Sequence, residues 1–443
     1  MNANGIRKEL MAEKDKPKIH VVTLGCSKNL VDSEALMGQL RVNNAPMTGN
    51  VDDADTVVIN TCGFIEAAKQ ESIDAILEAV GRKNRGEIGK VVVMGCLSER
   101  FRNELRAEIP EVDSYFGSNE MPKVLADLGV DYKRDLLGER LLTTPAHFAY
   151  VKISEGCDNP CSFCAIPLMR GGHRTRPMEE VLNEARGLAR KGVRELIIIG
   201  QDTTYYGLDT YGERRLHDLL GGLNAIDGIE WIRLMYAYPA KFPTDLIDAF
   251  HEYPKLCRYI DIPVQHASDR VLRSMRRGIT QRGLRELLLT LKERISNVAL
   301  RTTLIVGYPE EMDEDFRVLT EFVKEMRFHR LGVFTYSQEE GTTAYGLGDP
   351  VPLSVKEERQ AEIMEIQQSI SQERNEALLG TNVRMMVDRH EGEFSIGRTE
   401  WDAPEIDQEV FVRHRTPLQQ GNFYDVRITE TTEYDLYGDV VGS

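Results

Sequence analysis

This 443-residue sequence has no apolar run that approaches the length of a membrane span. Its N-terminal segment also lacks the apolar core and the small-residue cleavage site of a secretory signal. These absences predict a cytoplasmic protein with no membrane partner. Hydrophobic residues make up 41% and charged residues 28%, which excludes a fibrous or disordered chain. The length indicates about two to four globular domains.

Basic residues are fewer than acidic ones. Lys and Arg number 55 against 71 Asp and Glu, which gives a formal net charge of −16. Binding of nucleic-acid phosphates needs a basic surface, so direct nucleic-acid binding is not expected to dominate. A basic protein partner is favoured instead.

Cysteine is scarce, with seven residues in the whole chain. A chain without a secretory signal stays in a reducing compartment, where disulfides are rare. Metal or cluster binding is therefore the leading interpretation of these cysteines.

The hydrophobic pattern divides the chain into several parts. Residues 1–17 are predicted to be a disordered tail, because they are charged and show no sustained period. Strands alternate with helices in 18–133, which predicts a parallel α/β sheet. A charged stretch at 134–147 is interpreted as a linker. The strands of this first domain are predicted at Ile19 to Leu24, Thr56 to Ile59 and Lys90 to Met94.

The second domain is predicted over 148–353. Six strand-helix units follow one another, which favours a partial TIM-like (β/α)6 barrel with its site at the carboxyl ends of the strands. The strands are predicted at Tyr150 to Ile153, Glu195 to Ile199, Trp231 to Tyr236, Tyr259 to Val264, Arg301 to Val306 and Leu331 to Tyr336.

A connecting helix is predicted over 354–380, with Ser354 as its N-cap, a body from Lys356 to Leu379 and Gly380 as its stop. Five short strands in 381–443 then favour a small OB-like β-barrel. From Glu376 onward the chain has 6 Arg, no Lys and 14 acidic residues, a net charge of −8. Half of the excess negative charge lies in this part.

Cys157, Cys161 and Cys164 form a C-x3-C-x2-C run directly after the first strand of the second domain. Three thiolates hold three irons of a cubane and leave the fourth iron open. This arrangement is typical of radical S-adenosylmethionine (SAM) enzymes, in which SAM binds the open iron. The alternative is a zinc site with His173 as the fourth ligand, although structural zinc prefers paired C-x2-C knuckles.

Cys26, Cys62 and Cys96 are dispersed in sequence, but each follows a predicted strand of the first domain. The carboxyl ends of parallel strands meet at one edge of a sheet, so these cysteines are predicted to converge on a second cluster. The alternative is three unrelated core cysteines. Cys257 has no nearby cysteine and is interpreted as a packing residue.

Other residues at the same rim are weaker candidates. Gln201 with Asp202, and Gln265 with His266, are either ligand contacts or satisfied structural groups. Gly307 is either a point of close approach to adenosine or an ordinary turn. A basic stretch could meet a carboxylate or phosphate, with a solvated face as the default; it comprises Arg170, His173, Arg174 and Arg176.

Taken with both cysteine sets, the sequence resembles the radical SAM methylthiotransferase family. The similarity covers nearly the whole chain, and two segments carry its most specific motifs: 24–34 (LGCSKNLVDSE) and 155–171, which contains EGCD and IPLMRG. These motifs are similar to the branch that modifies a ribosomal protein rather than the branch that modifies tRNA. That branch usually has Pro where Ser27 stands, and the family's Gly-Glu after the fifth strand is here Glu310-Glu311.

The resemblance implies a methylthiotransferase cluster domain, a radical SAM domain and a C-terminal TRAM domain. It implies two 4Fe-4S clusters and SAM as cofactors, and an unidentified electron donor. The substrate it implies is an aspartate of small-subunit ribosomal protein S12, free or in the ribosome, which is methylthiolated at its β-carbon. tRNA methylthiolation and a non-catalytic iron-sulfur protein remain as alternatives. The candidate SAM contacts are Phe163, Gln201, Gln265 and Gly307.

Overall fold

The computed structural model describes residues 16–133, 140–414 and 416–442. Residues 1–15 of the predicted tail and 134–139 of the predicted linker lie outside this part of the chain. The chain divides into two compact units, Met1–Thr143 with Ala165–Gly172, and Thr144–Cys164 with His173–Ser443. Among the described residues, no helix combines the length and the apolar character needed to cross a membrane.

The first unit contains a four-stranded parallel sheet in the order β1-β2-β3-β4. The three predicted strands are confirmed, and the two-residue β4 was too short to leave a pattern. Apolar residues on both faces of the sheet pack against helices, as expected for buried parallel strands. Its elements are β1 (Ile19–Thr23), α1 (Ser27–Val42), β2 (Thr56–Thr61), α2 (Glu66–Asn84), β3 (Lys90–Gly95), α3 (Cys96–Glu108), β4 (Ser114–Tyr115), α4 (Met121–Asp127) and the short α5 (Ile166–Arg170).

The second unit begins with a six-stranded parallel sheet in the order β12-β11-β10-β9-β8-β5, so β5 and β12 form its edges. All six predicted strands are confirmed, with ends shifted by a few residues. The strands are β5 (Phe148–Lys152), β8 (Glu195–Ile199), β9 (Trp231–Leu234), β10 (Leu256–Asp261), β11 (Ala299–Val306) and β12 (Arg330–Thr335), and a small hairpin pairs β6 (Ser154–Glu155) with β7 (Arg174–Thr175). The helices are α6 (Met178–Arg190), α7 (Leu208–Tyr211), α8 (Leu216–Asn224), α9 (Asp245–Glu252), α10 (Asp269–Ser274), α11 (Gln281–Arg294) and α12 (Asp313–Met326).

The connecting helix α13 (Leu353–Glu376) is confirmed, but the prediction that Ser354 caps it is wrong. Pro352 occupies the N-cap position in an extended conformation, with ψ at 144°, and Ser354 lies inside the first turn. Proline suits a helix start because the first N–H groups of a helix have no intrahelical partner. The predicted end is wrong as well: the helix ends at Glu376 with Ala377 as its C-cap, so Gly380, with φ at +74°, lies in the turn that follows and does not stop the helix itself.

The C-terminal segment forms a closed barrel in the order β13-β14-β15-β17-β16, which confirms the predicted small β-barrel. Valine, methionine, isoleucine and leucine side chains that alternate along the strands fill its interior. The strands are β13 (Asn382–Glu391), β14 (Phe394–Arg398), β15 (Val410–Arg413), β16 (Phe423–Thr431) and β17 (Leu436–Val440).

Buried ion pairs join this small barrel to the six-stranded sheet. Glu195 lies between two fully buried arginines, at 2.8 Å from the Nε of Arg233 and 2.5 Å from the Nη1 of Arg398. The loop after β14 contributes two acids to arginines of the sheet: Asp407 lies 3.3 Å from Arg301, and Asp402 lies 2.5 Å from Arg330. The small barrel therefore packs at the end of the sheet where these strands begin.

Candidate functional site

The first unit places its three cysteines at the carboxyl ends of β1, β2 and β3. Cys26 occupies the N-cap position of α1, Cys62 directly follows β2, and Cys96 is the first residue of α3. All three are free thiols; Cys26 is exposed, and Cys62 and Cys96 are each 7% exposed. The structure thus brings together the three loops that were predicted to converge.

Glycine backbones allow these loops to approach one another closely. Gly25 has φ at +86°, and a Cβ added there would lie 2.6 Å from the Cβ of Cys62. A Cβ on Gly63 would lie 2.8 Å from the Cα of Leu97, the residue after Cys96. Side chains at either position would separate the cysteine loops.

Two polar side chains fix the same loops. The Nδ2 of Asn29 donates to the carbonyl of Leu24 at 2.8 Å and to that of Thr61 at 3.0 Å. The Oγ of Ser72 accepts a hydrogen bond from the N–H of Cys62 at 3.0 Å and donates one to the carbonyl of Cys62 at 2.9 Å. Because both residues come from helices α1 and α2, the cysteine backbones are tied to the rigid layer around the sheet.

Arg170 lies in a different environment from the one predicted. It is 3% exposed, so the prediction of a solvated face is wrong at this position. Its Nε donates to the Sγ of Cys96 at 3.2 Å, its Nη1 donates to Asp32 at 2.6 Å, and its Nη2 donates to Asn29. The apolar spacing of Ala165 and Met169, which pack against Cys96, was the signal that this segment is buried. In the same stretch, Arg174 is exposed and Arg176 is partly buried with Glu184 at 2.7 Å.

Burial controls the protonation of these cysteines. It raises the pKa of Cys96 to about 12, although the nearby Arg170 guanidinium opposes the shift. Burial also raises the pKa of Cys62. Both side chains therefore remain thiols at neutral pH until a metal centre displaces the proton, as cysteine ligands require.

The second cysteine set lies in one loop, after the β6 strand, in the second unit. The Nδ2 of Asn159 donates to the Sγ of Cys157 at 3.4 Å and to Asp202 at 2.8 Å. The N–H of Ser162 donates to the carbonyl of Met275 at 3.0 Å, which fixes the loop against the end of α10. Burial raises the pKa of Cys157 to about 11. All three cysteine side chains are partly exposed.

Arg277 and Tyr238 flank the middle cysteine of this loop. The Nη1 of Arg277 donates to the Sγ of Cys161 at 3.2 Å. The Oη of Tyr238 lies 3.6 Å from the same sulfur, and the guanidinium of Arg277 lies 4.4 Å from the centre of the Tyr238 ring. Each cysteine set therefore has one sulfur that accepts a hydrogen bond from a buried arginine.

The four candidate SAM contacts have different environments. The Nε2 of Gln201 donates to Glu155 at 2.7 Å, while its Oε1 is buried and accepts no hydrogen bond within the described part of the chain. The Oε1 of Gln265 is likewise buried and unpartnered there. Phe163 packs in an apolar cluster with Met275 and Tyr308. The two glutamine oxygens remain available to donors of a ligand.

Gly307 has a local role in the structure. A Cβ at this position would lie 2.3 Å from the Cγ of Lys356 in α13, and its N–H donates to Glu311 at 2.7 Å. His266 is fully buried, and its Nδ1 accepts the N–H of Ser268 at 2.9 Å. Close packing and a backbone hydrogen bond thus account for Gly307, whereas the Nε2 of His266 is buried and has no hydrogen-bond partner among the described residues.

Three family models match the chain. Residues 18–117 match the uncharacterized protein family UPF0004, 151–323 match the radical SAM superfamily, and 379–441 match the TRAM domain. A ribosomal protein uS12 methylthiotransferase RimO of Flavobacterium johnsoniae is 54% identical over 428 residues, 96% of this chain and 98% of that protein. This chain belongs to the RimO family. A second relative supports this assignment: a RimO of Aquifex aeolicus is 49% identical over 95% of this chain and 96% of its own length.

The fold of this RimO-family chain also resembles a solved structure. The radical SAM methyltransferase TsrM of Kitasatospora setae, with tryptophan and a SAM analogue bound, superposes with a TM-score of 0.56 over 85% of this chain and 79% of that chain. At 12% identity this likeness concerns the fold alone. Membership of the radical SAM superfamily implies SAM and one 4Fe-4S cluster as cofactors.

The donor set suits an iron-sulfur cluster of the RimO family better than zinc. The ring of His173, the proposed fourth zinc ligand, packs against Tyr205 with centres 4.7 Å apart, and its Nε2 lies 3.2 Å from Thr175. No three His, Cys, Asp or Glu side chains of the described residues are placed to hold one metal ion. The cysteines of a cubane each bind a different iron, so they need not converge on one point. Cys257 is 1% exposed, as its interpretation as a packing residue requires.

Proposed function

We propose that this chain is a uS12 methylthiotransferase that modifies the β-carbon of an aspartate. The observation that carries the proposal is the pair of three-cysteine sites within one RimO-family chain, each with an arginine N–H directed at a sulfur. One such site suits many radical SAM reactions. A second site with its own cysteines suits a reaction that must also deliver sulfur.

In this proposal Cys157, Cys161 and Cys164 hold the radical SAM cluster. With SAM, that 4Fe-4S cluster supplies a 5'-deoxyadenosyl radical, the reactivity that a C–H bond beyond the reach of acid-base side chains requires. The protein binds and orients the partners of this chemistry. The Oε1 atoms of Gln201 and Gln265, which accept no hydrogen bond from the residues that the structure describes, are the acceptors we assign to SAM.

A second 4Fe-4S cluster, which would supply the sulfur chemistry of methylthiolation, is proposed to be held by Cys26, Cys62 and Cys96. Asn29 and Ser72 keep the Cys62 loop in place, and Arg170 holds Cys96 by its hydrogen bond to Sγ. The proposed domains are the cluster domain (18–133), a linker (134–147), the radical SAM domain (148–353), the connecting helix (354–380) and the TRAM domain (381–443).

The charge of the C-terminal barrel supports a protein substrate. From Glu376 onward the net charge is −8, which repels nucleic-acid phosphates and attracts a basic ribosomal protein. A chain that modifies a ribosomal protein works in the cytoplasm, and it needs a one-electron donor that is not part of this polypeptide.

Substrate competition tests the proposal. Anaerobically reconstituted enzyme with SAM and dithionite is incubated with purified uS12, with tRNA, or with both, and each product is examined by mass spectrometry. We expect methylthioaspartate in uS12 and no methylthioadenosine in tRNA. Modified tRNA with unmodified uS12 would overturn the substrate assignment, and an iron content near four per chain instead of about eight would overturn the two-cluster assignment.

A further inference from the structure

Arg277 is a buried cation in the second unit. It follows α10, is 4% exposed, and spreads its guanidinium among a sulfur, a carbonyl and an aromatic ring. Besides the 3.2 Å contact with Cys161, its Nη2 donates to the carbonyl of Pro263 at 2.5 Å. Its Nε is buried and has no hydrogen-bond partner among the described residues.

The missing component of this environment is a counter-charge. Within residues 16–133, 140–414 and 416–442, Arg277 forms no ion pair with an Asp or Glu oxygen at 4.0 Å or less. A carbonyl and the face of a tyrosine ring carry only partial negative charge. An arginine buried without a full counter-charge is costly, because nothing compensates the loss of its hydration. Among the described contacts of Arg277, the Sγ of Cys161 is the one that becomes anionic when it binds a metal centre.

The position of Arg277 is fixed independently of that sulfur. The Oη of Tyr238 donates to the carbonyl of Arg277 at 2.9 Å, and the Tyr238 ring lies beneath the guanidinium. The carbonyl of Pro263, just after β10, accepts a hydrogen bond from the other terminal nitrogen of the guanidinium, Nη2. The positive charge is therefore preorganised beside Cys161, with no rearrangement needed when negative charge develops there.

We propose that Arg277 is a positioning residue that stabilises the reduced state of the group held by Cys157, Cys161 and Cys164. The inference rests on the proposed function, since it takes those cysteines as the ligands of the radical SAM cluster. Reduction adds one electron, supplied by an external one-electron donor, and no proton. The negative charge beside Arg277 therefore grows by one unit, and a fixed cation makes this step more favourable.

The experiment measures the reduction potential of this cluster alone. In the full chain, Cys26, Cys62 and Cys96 are replaced by Ala, so that any remaining cluster is held by the second site. Into this background we introduce Arg277→Met, Arg277→Lys and, as a matched control, Arg273→Met, which removes an exposed arginine of α10. Iron content, melting temperature and the midpoint potential from an EPR-monitored dithionite titration are recorded, with and without SAM.

We expect Arg277→Met to shift the midpoint potential to more negative values, Arg277→Lys to restore part of the shift, and Arg273→Met to leave it unchanged. Equal potentials for the background and Arg277→Met at equal iron content would overturn the role of Arg277. If Arg277→Met holds no iron, Arg277→Lys decides: a retained cluster supports the need for a cation, and an equal loss contradicts it. A background without a SAM-sensitive EPR signal would overturn the cluster assignment itself, which is a different failure.

Discussion

The two cysteine sites are built in opposite ways. Cys157, Cys161 and Cys164 lie within one short loop, whereas Cys26, Cys62 and Cys96 follow three separate strands of one sheet. The first site is formed by residues that are close in sequence, whereas the second forms only when the strands have assembled into the sheet. The sheet-based site therefore depends on close backbone approach at its glycines, and the loop-based site depends mainly on the groups around it.

The sites also differ in electrostatics. Arg170 shares its charge between Cys96 and Asp32, which lies 2.6 Å away. Arg277 makes an equally short contact with Cys161 but has no such acid among the described residues. A cation neutralised by a carboxylate attracts electrons less than one that is not. The comparison predicts that the group at the loop site is the more strongly stabilised by its arginine on reduction.

The largest effect separates the chemistry of the two sites. Cys161→Ala is expected to abolish SAM cleavage, because one ligand of the radical SAM cluster is lost. Cys62→Ala is expected to retain SAM cleavage but to yield no methylthiolated uS12. Chromatography of 5'-deoxyadenosine and mass spectrometry of uS12 measure the two outcomes. Loss of SAM cleavage in Cys62→Ala would show that the sites do not act separately.

The next effect concerns the glycine backbone of the sheet-based site. Gly25→Ala puts a Cβ within 2.6 Å of the Cβ of Cys62, so we expect the iron content to fall from about eight to about four per chain. Gly86→Ala is the control, since Gly86 also has positive φ (+76°) but has no atom within 4 Å of the added Cβ. Both variants should lose roughly 1 kcal/mol to backbone strain. Iron analysis and thermal unfolding measure these changes, and equal iron loss in both variants would contradict the steric argument.

A smaller effect tests the electrostatic difference. Asp32→Asn removes the negative charge that lies 2.6 Å from the Arg170 guanidinium, so the midpoint potential of the cluster at the sheet-based site should become more positive. The measurement is an EPR titration of a chain whose loop cysteines are replaced by Ala. Asp74→Asn, an exposed acid of α2, serves as the control. An unchanged potential in Asp32→Asn would mean that Asp32 only orients Arg170.

The smallest effect on a cluster potential is expected from Asn159→Ala. This change removes a 3.4 Å contact with the Sγ of Cys157 and a 2.8 Å hydrogen bond to Asp202. A hydrogen bond to a charged acceptor such as the Asp202 carboxylate contributes about 1.5 to 3 kcal/mol, so stability should fall by roughly 2 kcal/mol. The midpoint potential of the loop-site cluster should move less than in Arg277→Met. A shift as large as that of Arg277→Met would remove the distinction between a charged and a neutral donor.

Much of this organisation could be predicted from residues alone, and the reason differs between the sites. The spacing from Cys157 to Cys164 is local, so it is visible without any fold. The convergence of Cys26, Cys62 and Cys96 required strands to be recognised first, which the buried run Thr56–Thr61 made possible. Because both arginine contacts join residues far apart in sequence, Arg170 was assigned to a solvated face and Arg277 was not selected at all.

The buried ion pairs beneath the six-stranded sheet have a consequence for how such a protein can change during evolution. A C-terminal barrel looks like a module that recombination could exchange to alter the target. Here the barrel's loop supplies Asp402 and Asp407 to arginines on β11 and β12, and Arg398 shares Glu195 with Arg233. A different barrel without matching acids would leave these arginines buried and without a counter-charge. The two parts must therefore be inherited together or change together.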